Sequence, residues 1–234
     1  MPTGILINCS AVLSGGLIGA IIGKKIPESV KNVLPLIFGL SAMSIGITLI
    51  IKVKNLSAVV LALILGTIIG TLIRIGDRVE QGAGNVNKRL QKNPEGSLQG
   101  SEMSLFVSGL VLFCFSGTGI FGALTEGMTG EYTILIIKSI LDFFTAMIFA
   151  SSVGFLISLI SIPQFLIYIT LFLIAQVILP LTNPDMIADF TACGGIIAFA
   201  VGFNILKIKD LPVLNFLPAL LLVMPISYLW ALVF

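Results

Sequence analysis

What most limits the fold of this chain is a succession of eight apolar runs, each about one membrane crossing long, separated by turns and one long polar stretch. The runs cover residues 4–23, 33–51, 56–73, 103–124, 132–160, 163–181, 186–206 and 211–234. A helix rises about 1.5 Å per residue, so about 20 apolar residues cover a hydrocarbon core about 30 Å thick. Only 10% of the 234 residues are charged and 57% are hydrophobic, whereas soluble domains carry about 25% charged residues. No water-soluble core hides that much apolar surface. Lipid is therefore the expected solvent, and backbone groups must be paired inside helices. The expected fold is an all-α polytopic membrane protein, one membrane domain over residues 1–234 with about eight transmembrane helices.

The inventory of chemical groups narrows the function. The chain has no histidine, which removes His-based acid–base catalysis and His-ligated metal sites. Cys9, Cys114 and Cys193 each fall inside an apolar run, far apart in sequence; they read as small core residues rather than a disulfide framework or a metal site. No G-x-x-x-x-G-K-[ST] loop is present, so nucleotide drive is not indicated. An enzyme is not expected, nor is a cofactor, a metal or a nucleic-acid partner; the expected partner is the lipid bilayer.

Charge gives the sidedness. The first run lacks a basic leader and is followed by Lys24 and Lys25, the reverse of a cleaved signal peptide. With the N-terminus outside, the inner loops hold Lys24, Lys25, Lys31, Arg74, Arg78, Lys88, Arg89, Lys92, Lys207 and Lys209, and the outer loops hold Lys52 and Lys54, ten against two. That is the positive-inside pattern. It places both termini outside and makes residues 74–102 a cytoplasmic polar loop, with a short surface helix read at 85–90. Tyr228 and Trp230 suit the outer aromatic belt.

Three ridges of small residues mark helix contacts: Gly15, Gly19 and Gly23; Ala58, Ala62, Gly66 and Gly70; Gly194, Ala198 and Gly202. They let helix backbones approach closely, within the chain or between copies in a homo-oligomer. An internal repeat is also legible. GLSAMSIGITLIIKVKNL, from Gly39, lines up with GGIIAFAVGFNILKIKDL, from Gly194, once one residue is skipped. Counted by span, the two copies face opposite sides, so spans one to three would match spans six to eight in inverted order, as in many secondary transporters.

The candidate site lies in the two spans the repeat leaves over. Lys138 and Asp142 sit four residues apart on one face of the fifth run. Asp142 is about 15 Å in from Tyr132, near mid-membrane, where an ionised side chain costs about 2.5–3.5 kcal/mol. Lysine before aspartate is the less favourable order for a pair on one helix, so the two are expected to face polar partners in the bundle. The fourth run ends in SGTGIFGALTEGMTG, residues 116–130. So many glycines make a poor continuous helix. Either the helix breaks there, freeing backbone groups to hold an ion or charged solute, or the span ends near Ala123 with Glu126 in a polar turn. The candidate substrate- or ion-binding residues are Asp142 and Lys138, with Gly117, Thr118 and Gly119 from the break and Asn8 and Asn204 as polar support. Asp189, a few residues into the seventh run and near an interface, reads as a hydrated group, as readily a cap or surface residue as part of a site.

Several pieces in order, GILINCSAVLSGGLIGAIIG, GALTEGMTGEYTILIIKSILD, FASSVG, MIADFTACGGIIAFAVGFNIL and LPALL, resemble the domain-of-unknown-function 554 family of YdfK/YqgA-type bacterial membrane proteins. The resemblance implies a multi-pass protein of the bacterial plasma (inner) membrane with no established substrate. It also implies a glycine after the matching Leu-Asp, where this chain has Phe143, and glycine-alanine character where it has residues 116–119. The functional expectation is a secondary transporter or permease for an ion or small solute. The alternative is a non-transporting assembly or sensor subunit in which Lys138 and Asp142 are structural.

Overall fold

The structure, a computed structural model, describes residues 1–79, 81, 106, 109, 110 and 112–233. Most of the polar stretch 74–102, with the helix read at 85–90, and the start of the fourth run lie outside the described residues. Regular structure among the described residues is helical throughout. The α-helices are α1 (Thr3–Ile22), α2 (Glu28–Ile50), α3 (Leu56–Leu72), α4 (Gly117–Thr129), α5 (Thr133–Val153), α6 (Ser161–Ile178), α7 (Pro184–Ile205) and α8 (Pro218–Val233). Short 3-10 segments lie at Gly154–Ile160 and Val213–Phe216, among others. Five described segments are long and apolar enough to cross a membrane: Thr3–Ile22, Glu28–Ile50, Thr133–Leu181, Pro184–Ile205 and Val213–Val233. Leu56–Leu72 is a shorter apolar helix.

Contacts divide the chain into two units, Met1–Pro35 with Asp77–Leu173, and Leu36–Gly76 with Ile174–Phe234. Pro35, where the first division falls, lies inside α2.

In the first unit, the small ridge of α1 meets α5 in constant register. Gly15 lies on Phe143, Gly19 on Met147 and Gly23 on Ser151, each against backbone or Cβ atoms. The two helices therefore run parallel. α5 does not continue to residue 160 as the hydropathy suggests. It ends at Val153, and Gly154 takes φ 78° and ψ −158°, a conformation essentially restricted to glycine. The chain turns back there. Ser158 of the returning 3-10 segment lies against Gly16, and Gln164 of α6 reaches Asn8, so α6 runs antiparallel to α1. α4 lies antiparallel to α5, with Gly122 on Leu135 and Gly119 on Lys138. Gly130, at φ 74°, closes α4 in the left-handed cap that favours glycine.

In the second unit, α2 and α7 cross antiparallel at two glycine pairs. A β-carbon added at Gly46 would fall 2.7 Å from the Gly195 carbonyl oxygen, and one at Gly202 would fall 2.8 Å from that of Gly39. Ala42 and Ala198, between the pairs, are buried. On α3, Gly66 lies on Ala219 and Gly70 on Asn215. Within lipid such close packing replaces the hydrophobic effect as the source of helix association. Gly15, Gly19, Gly23, Gly66, Gly70 and Gly202 of the small ridges each bear on another segment of the same chain. The prolines of the last run act as boundaries as well as kinks. Pro212 precedes the 3-10 turn Val213–Phe216, Pro218 starts α8 and Pro225 lies inside it.

Asp189 is not hydrated. It is fully buried and accepts four hydrogen bonds: from the backbone N–H of Lys54 (2.9 Å) and Asn55 (2.7 Å), from Asn55 Nδ2 (3.1 Å) and from Ser227 Oγ (2.6 Å). The carboxylate closes the turn before α3, where helix-start N–H groups have no partner in the helix.

Candidate functional site

The glycine-rich fourth run is interrupted. Residues 112–114 are helical, Phe115 bends, Ser116 is extended, and α4 begins at Gly117. Ser116 caps the new helix, its Oγ accepting the Gly119 N–H at 3.2 Å. α4 continues past Ala123 to Thr129, so Glu126 is not in a polar turn. It is 2% exposed and accepts the Gly4 N–H (2.7 Å) and the Ile5 N–H (3.1 Å), capping α1. If the register of α4 on α5 is continued back four residues from Gly119, the break comes level with Asp142.

Around that level the first unit builds a buried polar layer. Asp142 is the tenth of the 21 residues of α5. Lys138 Nζ donates to Asp142 Oδ1 (2.8 Å) and Oδ2 (2.6 Å). The direct pair therefore forms despite its unfavourable order, because both residues are only 5% exposed and neither charge can be left alone in a low-dielectric interior. Asn8 Nδ2 donates to Asp142 Oδ2 at 2.9 Å. Gln164 Nε2 donates to Asn8 Oδ1 (2.8 Å) and to the Phe113 carbonyl (3.3 Å). Tyr168 donates its hydroxyl to the same carbonyl at 2.6 Å. The helix break frees that carbonyl, and two side chains from α6 satisfy it. Asn8, Gln164 and Tyr168 are fully buried.

Gly117 and Thr118, also buried, open α4 beside this layer. Gly119 is the closest approach: a β-carbon there would collide with the Tyr168 hydroxyl and fall 2.8 Å from Lys138 Cε. Asn204 lies in the second unit. Its amide donates to the Leu211 carbonyl and accepts the Leu211 N–H, both at 2.8 Å, and so clamps the turn after α7. The structure thus gathers Asn8, Gly119, Lys138 and Asp142 and adds Gln164, Tyr168 and the Phe113 carbonyl, which sequence reasoning missed. Among the described residues no group of three or more potential metal ligands occurs.

Apolar residues enclose the layer. One cluster joins Val12, Phe113, Cys114, Ala146, Ala150, Ile157 and Ile160. A second joins Ile5, Cys9, Ala123, Leu135, Tyr168 and Phe172. On α1 the layer residue Asn8 lies between Ile5 and Val12. On α5 the pair lies between Leu135 and Ala146. On the returning arm Gln164 lies between Ile160, the last residue of the 3-10 segment, and Tyr168 of α6. The ion pair therefore occupies a polar stratum with an apolar plug toward each helix end.

Comparison with known proteins agrees with the membrane character. A family model, DUF554, described as a protein of unknown function, matches residues 3–228. The chain is 48% identical over 230 residues to the uncharacterized protein YqgA of Escherichia coli (strain K12), covering 98% of both chains. It is 29% identical over 223 residues to the uncharacterized membrane protein YdfK of Bacillus subtilis (strain 168), covering 94% of this chain and 93% of that one. No solved structure matches.

Proposed function

The chain belongs to the DUF554 family, and from that premise we propose that it is a secondary transporter or permease for an ion or small solute, working in the bacterial inner membrane. The observation that carries this reading is the polar stratum at an interrupted helix, closed by an apolar cluster on each side. Intramembrane ionisable groups are costly, and in transporters they line ion or solute paths where helices are interrupted. A site sealed on both sides is the occluded arrangement that alternating access requires.

Two finer features belong to the same reading. The first is eight spans with both termini exterior. The second is the inverted repeat. Gly39, Ala42 and Gly46 have the spacing of Gly195, Ala198 and Gly202, and the two triplets face each other antiparallel. An inverted pair related by a local two-fold axis would pack that way.

The test is reconstitution into liposomes with ion and pH gradients and a panel of small solutes. The expected outcome is a flux that Asp142→Asn abolishes while the variant stays monodisperse. Folded wild-type protein that moves nothing, or an unaltered flux in Asp142→Asn, would overturn the reading. Cysteine labelling of residues 74–102 is expected from the cytoplasmic side alone; labelling from outside would reverse the topology.

A non-transporting assembly or sensor subunit draws on one observation of its own: Lys138 satisfies both oxygens of Asp142 from within the same helix. In that reading Asp142→Asn changes stability and nothing else.

A further inference from the structure

Hydrogen-bond polarity runs one way through the buried layer. An ionised Asp142 can only accept, so Asn8 must turn its amide nitrogen toward it. The Asn8 oxygen then faces Gln164 and takes a hydrogen from the Gln164 nitrogen, whose other hydrogen goes to the Phe113 carbonyl. With both amides fixed in this way, Gln164 Oε1 is left buried and without a hydrogen-bond partner. The relay ends on an acceptor that calls for a donor or a cation.

The same relay separates the two halves of the ion pair by how each is held. Asp142 is held by Asn8, Asn8 by Gln164, and Gln164 by the backbone of the helix break. Lys138 reaches the carboxylate through a flexible four-carbon stem that lies against Gly119. The carboxylate is tied through the relay to the backbone of the helix break, whereas the ammonium is tied only through its own stem.

We propose that this layer is a binding site for a small monovalent cation, which takes the Asp142 carboxylate in place of the Lys138 ammonium, with Gln164 Oε1 as a further oxygen of the same layer. Small hard cations are held by carboxylate and carbonyl oxygens. A single charge fits because, among the described residues, the other buried carboxylate of this unit, Glu126, is engaged with the N-terminus of α1. The inference rests on the transport reading for the ion's passage, but equilibrium binding tests it without flux.

The experiment titrates sodium, potassium or ammonium chloride against N-methylglucamine chloride at constant ionic strength and follows thermal unfolding of the purified protein. A cation that binds the native state raises the apparent Tm by linkage. In wild type one of the three is expected to do so. Lys138→Gln removes the competitor and is expected to lower the half-maximal concentration about tenfold, the factor for 1.4 kcal/mol. Asp142→Asn is expected to abolish the response, and Gln164→Leu to raise the half-maximal concentration. A Lys138→Gln response that is weaker than or equal to wild type overturns the proposal, because a lysine that helps to bind the ligand or merely supports the fold gives that sign. Should Lys138→Gln not fold, equilibrium binding of radiolabelled cation to wild type and Gln164→Leu decides: equal binding, or none to either, overturns it. Cation binding without flux in liposomes removes the transport reading and keeps the site. Flux of another solute with no cation response removes the site and keeps transport.

Discussion

Asp142 and Asp189 are both buried aspartates in apolar helices, and they are held in opposite ways. Asp189 is caged by two backbone N–H groups, the Asn55 amide and the Ser227 hydroxyl. Its two backbone donors cannot rotate away, so the carboxylate is a fixed part of the turn before α3. Among the described residues Asp142 is bonded by side chains alone, one amide and one ammonium, and the ammonium is carried on a rotatable four-carbon stem. A buried charge built into a helix end is architecture. A buried charge held by rotatable groups is a candidate for exchange, even where burial and distances are alike.

The comparison can be broken in three places. Asp189→Ala strands two backbone donors and the Ser227 hydroxyl. At about 1.5–3 kcal/mol for each hydrogen bond to a charged group, it should cost on the order of 5 kcal/mol and abolish the folded protein in detergent at every salt composition. Asp142→Leu alone leaves Lys138 buried and unpaired and should cost about 3–5 kcal/mol. The double change Lys138→Met/Asp142→Leu should recover most of that, since apolar replacement of a whole buried pair is often neutral. Thermal unfolding of the single and double variants reads the difference, and a double variant no better than the single one would show the pair holding the fold through more than its own charge. Glu126→Gln should cost the least, about 1.5–3 kcal/mol, because the amide oxygen can still accept one of the two N–H groups of the first turn of α1 while the amide nitrogen cannot accept the other. Faster hydrogen exchange confined to the first turn of α1 would show it.

The sequence was most informative where a physical rule is local. Apolar length marked the helices, four-residue glycine spacing marked the packing face of α1 without naming α5 as its partner, and the glycines of 116–130 marked the break. It misled where depth had to be inferred. Gln164 follows Pro163 and looks like an interfacial residue at the start of a span. Because the span begins at Gly154 with a 3-10 segment, Gln164 is carried inward to Asn8, while Gln176, further into the run, is exposed. Gln164 and Tyr168 lie four residues apart on one helix, the same spacing that drew attention to Lys138 and Asp142, and that signal was available. Asn204 could not be told from Asn8 by composition. Only the fold shows one asparagine clamping a turn and the other bridging two helices.

The reversal at Gly154 also bears on how the protein reaches the membrane. Thr133–Leu181 is 49 residues long, its only charges are Lys138 and Asp142, and no charged residue lies between Asp142 and Asp185. An insertion machinery that reads charge at loops finds no orientation cue at the tip of this hairpin. α5 and α6 are therefore expected to enter the bilayer together as one hairpin, oriented by the segments that flank it. The helix that carries Lys138 and Asp142 then comes to its final depth already beside Gln164, so the costly charges need never face lipid without polar company.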